Sequence, residues 1–98
     1  MEYTVIFRGI RGQVLFFDDK DRGRFVNACA LIPSAKGFDH CGRATNMEFM
    51  PESATVRIES WEWPVRRIAQ FVCDTYDAYY RLRYQCSGPQ TVYEITNT

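Results

Sequence analysis

The sequence predicts an α+β fold. It consists of a single antiparallel sheet of about five strands, in the order β-β-α-β-β-α-β, with one long C-terminal helix and one shorter helix packed on one face. Three observations carry this prediction. The stretch Pro64–Tyr84 keeps a helical period, Thr55–Trp61 alternates as a strand does, and several short β-branched and aromatic runs are separated by turn residues. Ninety-eight residues suffice for one domain, residues 1–98, with a modest core.

Tyr3–Arg8 reads as a strand with Tyr3, Val5 and Phe7 on one face. Gly9-Ile10-Arg11-Gly12 is a turn, and Gln13–Phe17 follows as a second strand, so the two suggest a hairpin. Val14 and Phe16 alternate with Leu15 and Phe17, which makes both faces of that second strand apolar. The charged run Asp18–Arg24 then punctuates the chain. For Phe25–Ile32 a helix capped by one of the aspartates is preferred to a strand, because Asn27-Ala28-Cys29-Ala30 is poor strand material.

Ser34–Arg43 is the most loop-like segment, and Asn46–Met50 is a short strand followed by a turn at Pro51–Ser53. In the alternating strand, Val56 and Ile58 point inward and Thr55, Arg57, Glu59 and Trp61 outward. The long helix places Val65, Ile68, Ala69, Val72, Tyr76 and Tyr79 on one stripe, with Arg66, Arg67, Gln70, Asp74, Asp77 and Arg81 opposite. Pro64 suits its first position. Arg83 would rotate onto the apolar stripe, so fraying is expected near Leu82, with Gly88 available as a left-handed cap. Thr91–Ile95 closes the chain as a last strand. The order suggests two successive ββα units.

Composition narrows the function classes. The chain is 46% hydrophobic and 15% aromatic, and its formal charge is zero. It lacks the basic surplus through which phosphate contacts usually supply nucleic-acid affinity. All its basic residues except Lys20 and Lys36 are arginine, which favours planar contacts at interfaces. No segment approaches the ~18–20 apolar residues of a membrane span, and the first residues have neither the basic region nor the cleavage site of a signal peptide. Cys29, Cys41, Cys73 and Cys86 are irregularly spaced and fit reduced thiols in a cytoplasmic protein better than a disulfide framework.

Asp39-His40-Cys41 brings an acid, the sole histidine and a thiol together, but consecutive loop residues rarely converge as a nucleophile and base must. A solvated loop accounts for it. The cysteines lack the paired close spacings of zinc sites, and the Gly9–Gly12 turn lies between strands rather than before a helix, so no metal, nucleotide or other cofactor is expected. The strongest candidate is the outward set Arg57, Glu59 and Trp61, joined by Arg8 from a neighbouring strand, because arginine beside a large aromatic is enriched in binding hot spots. Trp61 and Trp63 would serve as core if they fold back under the helix. Tyr76, Tyr79, Tyr80 and Tyr84 form a second aromatic cluster suited to the core edge or a dimer contact.

These observations favour a small non-enzymatic protein-binding module, an inhibitor or adaptor that occupies a partner's surface. Small chains of this kind are often accessory proteins of phages and mobile elements, such as anti-restriction or anti-CRISPR inhibitors. The alternatives are a single-stranded nucleic-acid binder using an Arg/Trp sheet face, and a small enzyme using Cys41 or His40. Homodimerisation through an exposed strand or the tyrosines is compatible with each.

Overall fold

The computed structural model describes residues 2–30, 42–60 and 65–97. Strand β1 (Glu2–Gly9) forms from the β-branched and aromatic run at the start of the chain, followed by a short 3-10 turn at Ile10–Gly12. Helix α1 spans Asp19–Ala30, strands β2 and β3 span Gly42–Met50 and Ser53–Ser60, helix α2 spans Val65–Tyr84, and strand β4 spans Thr91–Asn97. The strands form one antiparallel sheet in the order β2-β3-β1-β4, the split β-α-β arrangement of ferredoxin-like folds.

The sheet has four strands, and the expected strand at Gln13–Phe17 does not form. Both sides of β1 are taken, one by β3 and the other by β4, so no ladder position remains beside it. The backbone of this segment is satisfied in other ways. The N–H groups of Leu15 and Phe16 both donate to the Pro51 carbonyl at 2.9 and 3.0 Å. The Val14 and Leu15 carbonyls accept from the hydroxyls of Tyr80 and Tyr76 at 2.7 and 2.5 Å. The apolar character that suggested a strand therefore serves as a plug, with Leu15 and Phe16 buried. Consequently the repeated unit is β-α-β, not the ββα inferred from the sequence.

Gly9 is required where β1 ends, since a Cβ there would stand 2.0 Å from the Gln13 carbonyl oxygen. Helix α1 begins inside the charged run. The Asp18 carboxylate accepts the Asp21 N–H at 3.1 Å, and Asp21 reaches back to the Phe17 N–H at 2.9 Å, a reciprocal cap like the capping box. Of the residues expected to be helical after Phe25, those beyond Ala30 lie outside the described residues, as do most of the Ser34–Arg43 loop and the Trp61–Pro64 corner.

The two helices cover one face of the sheet. Val5 and Phe7 of β1 and Ala54, Val56 and Ile58 of β3 meet Phe25 and Cys29 of α1 and Ile68, Val72 and Tyr76 of α2, all buried. Phe25 sits at the centre, edge-on to Phe7, Phe16 and Tyr76 at ring separations of 5.2 to 5.5 Å.

Helix α2 does not fray at Leu82. It continues to Tyr84 and ends in a Schellman-type cap, with Gln85 in the left-handed region at φ 51° and the Cys86 N–H donating to the Arg81 carbonyl. Gln85, not Gly88, is thus the left-handed residue that ends the helix, and Gly88 takes its positive φ in the turn beyond. Asp77, expected on the polar arc, is buried: it accepts the Thr91 hydroxyl at 2.5 Å and the Gln90 N–H at 3.1 Å, tying α2 to the start of β4. Replacing Gln85 with glycine should relieve the strained backbone and raise stability by about 0.5–1 kcal/mol, measured by urea denaturation. A loss of stability instead would mean that the Gln85 side chain contributes more than its backbone costs.

Candidate functional site

With both helices on one side, the other side of the sheet carries no helix among the described residues. Strand alternation sends Glu2, Thr4, Ile6 and Arg8 of β1 to this open face, and the register sets β3, β2 and β4 residues beside them. Met50, Ser53, Arg8 and Val92 form one row across the strands. Glu48, Thr55, Ile6 and Glu94 form the next, and Asn46, Arg57, Thr4 and Thr96 the third.

Three of the four residues singled out from sequence therefore share this surface. Arg8 and Arg57 are exposed and Glu59 is half-buried, while Trp61 lies outside the described residues. Both arginines face carboxylates: Arg8 donates to Glu94 at 2.7 Å, and Arg57 lies 3.7 Å from Glu2. Among described side chains the face sets Glu2, Glu48, Glu59 and Glu94 against Arg8 and Arg57, so it has no cationic surplus. A shallow polar depression of about 370 Å³ lies at its middle, lined by Thr4, Asn46, Glu48, Thr55 and Arg57. Met50 and Val92 add exposed apolar area at one end, Met50 being 58% accessible.

The tyrosines of α2 lie in and at the edge of the core, the first of the two roles expected of them, and two of them also join a polar cluster with α1. The Asp21 carboxylate is fully buried and accepts the Tyr79 and Tyr84 hydroxyls, each at 2.5 Å, together with the Phe17 N–H and the Arg83 guanidinium at 2.6 Å. Arg83 also grips both oxygens of Asp18 in a fork, at 2.9 and 2.6 Å. Burial would raise the Asp21 pKa, but the Tyr79, Tyr84, Phe17 and Arg83 hydrogen bonds outweigh it and hold the carboxyl below its usual range. The Arg83 contact draws Asp18 down to about 2. This cluster joins the start of α1 to the end of α2. Sequence reasoning missed it, although an aspartate cap three residues before a second aspartate was the signal available.

The remaining chemistry-bearing residues fall into two groups. Asp39, His40 and Cys41 lie outside the described residues. Cys29 and Cys73 are free and buried, and burial pushes each thiol up to about 12, which leaves them protonated at neutral pH. Among the described residues no group of three His, Cys, Asp or Glu side chains could hold a metal ion, and no helix is long and apolar enough to cross a membrane.

No protein-family model matches the sequence, and no curated protein matches it. The fold does have a counterpart among solved structures. A candidate transposase from Deinococcus radiodurans R1 superposes with a TM-score of 0.68 at 17% identity, covering 100% of this chain and 78% of that one. At that identity the likeness establishes the shared fold.

The acid cluster has a measurable consequence. Asp18 and Asp21 have pKa values depressed in the folded state, so their contribution is complete above the unfolded value of 3.8 and is lost as pH falls through the folded values. Stability should therefore drop between about pH 4 and pH 2, and Arg83→Met should move the acid transition to higher pH because Asp18 loses its partner. Circular dichroism followed across that range tests this; an unchanged acid midpoint in the variant would show that Arg83 does not lower the Asp18 pKa.

Proposed function

We propose that this chain is a small non-enzymatic binding module whose open sheet face docks a protein partner, as an inhibitor or adaptor of the phage or mobile-element kind does. The observation that carries this reading is the composition of that face. Arginines, glutamates, hydroxyls and a few exposed apolar side chains are interspersed over an antiparallel surface that neither helix covers. Charges of both signs suit register and specificity in a protein interface, where complementary partners replace solvent. They suit phosphate poorly, because Arg8 and Arg57 each already have a carboxylate beside them. The buried, free Cys29 and Cys73 support action in the reducing cytoplasm.

The likeness to a candidate transposase favours a second reading, in which single-stranded nucleic acid lies on the same face. Stacking there would have to come from Trp61, since the described rows of this face carry no aromatic side chain.

Tagged full-length chain should retain a discrete host protein after nuclease treatment. The double variant Arg8→Ala/Arg57→Ala should weaken that capture by roughly fivefold or more while keeping its thermal midpoint, since both side chains are exposed. Recovery of nucleic acid alone, lost on nuclease treatment, would replace the protein reading with the second one. Unchanged capture by the double variant would remove the sheet face from the account.

A further inference from the structure

A second surface lies on the helical side, away from the open sheet face. Between α1 and α2 lies a groove of about 500 Å³, whose lining includes Lys20 and Arg24 of α1 and Ala78, Tyr79, Leu82 and Arg83 of α2. Leu82 is 84% exposed, the most accessible of the large apolar side chains described.

The charges of this groove are unbalanced. Lys20 and Arg24 stand four residues apart on α1, a like-charge spacing that weakens a helix on its own. Neither is ion-paired among the described residues: Asp19 is engaged by Arg22, and Asp18 and Asp21 by Arg83. Arg24 is nevertheless held in place, its guanidinium lying 4.9 Å above the Tyr79 ring. Tyr79 is in turn fixed through its hydroxyl to Asp21. The groove therefore presents an ordered cation, a second cation beside it and an uncovered apolar strip.

We propose that this groove docks an acidic amphipathic helix of a protein partner. The partner's carboxylates would face Lys20 and Arg24, and its apolar side chains would lie on Ala78 and Leu82. Charge complementarity selects the acidic character, and the exposed Leu82 selects a partner with an apolar stripe. Nucleic acid fits less well, because the Arg24 guanidinium already covers the Tyr79 ring and no open aromatic face remains for a base to stack on. This surface is separate from the open sheet face, and the two can fail independently.

The test is titration of isotope-labelled full-length chain, followed by NMR, with two probes. One is a synthetic amphipathic peptide carrying glutamates along one face and leucines beside them; the other is oligo(dT). The peptide should shift the amides of Lys20, Arg24, Ala78 and Leu82, and oligo(dT) should leave them unmoved. Lys20→Glu/Arg24→Glu should weaken peptide binding about tenfold or more, whereas Arg8→Ala/Arg57→Ala should not change it. Leu82→Ala, at an exposed position that leaves the fold intact, should weaken binding as well. Absence of peptide binding, shifts confined to the sheet, or response to oligo(dT) alone would overturn the proposal.

Discussion

The buried carboxylate of Asp21 is the constraint on which the arrangement of the two helices rests. An ionised carboxyl taken out of water is costly unless every acceptor position is filled. Here a backbone N–H, two tyrosine hydroxyls and a guanidinium fill them. The donors come from the chain just before α1 and from the last turns of α2, so satisfying one side chain fixes where one helix begins and the other ends. Arg83 adds its fork onto Asp18, the residue that caps α1, and it stands where a cation also complements the C-terminal end of α2.

Two other tyrosines of α2, with Pro51, hold the path of Gln13–Phe17. A segment rich in apolar residues was free to join the sheet as far as its side chains were concerned. Instead Tyr76 and Tyr80 take up its carbonyls, and Pro51 accepts its N–H groups. Phe16 is then pinned against Phe25 and Phe49, and Leu15 is buried, rather than either being paired in a ladder. Because α1 and α2 both lie on the same side as this plug, neither of them covers the opposite side of the sheet. The open face and the α1–α2 groove are thus two products of the same packing decision.

The balance of charge differs between those two surfaces although the whole chain is neutral. On the sheet, cross-strand neighbours bring Arg8 to Glu94 and Arg57 to Glu2, and a pair of this exposed kind adds little stability. On α1, Asp19 and Arg22 pair, and Asp18 and Asp21 are drawn to Arg83. Lys20 and Arg24 are what remains. Net charge alone does not reveal this, because the neighbouring acids of α1 are already engaged by Arg22 and Arg83.

Periods of two and of three to four were enough to locate β1, β3, α2 and β4, because those periods reflect which side chains face the core. The same periods put Arg8, Arg57 and Glu59 on one outward face, where the structure has them. What the sequence could not settle was pairing between distant segments. Whether Gln13–Phe17 is a strand depends on whether β1 still has a free side, and that is decided by β4, some eighty residues away. Whether Arg83 and Asp77 disrupt α2 or anchor it depends on Asp18, Asp21, Gln90 and Thr91 arriving beside them. Local pattern determined which segments are strands or helices in four of these cases and which residues face outward. Only tertiary contact decided the strand count, the buried carboxylates and the groove, since each depends on satisfying a polar group with a partner distant in the chain.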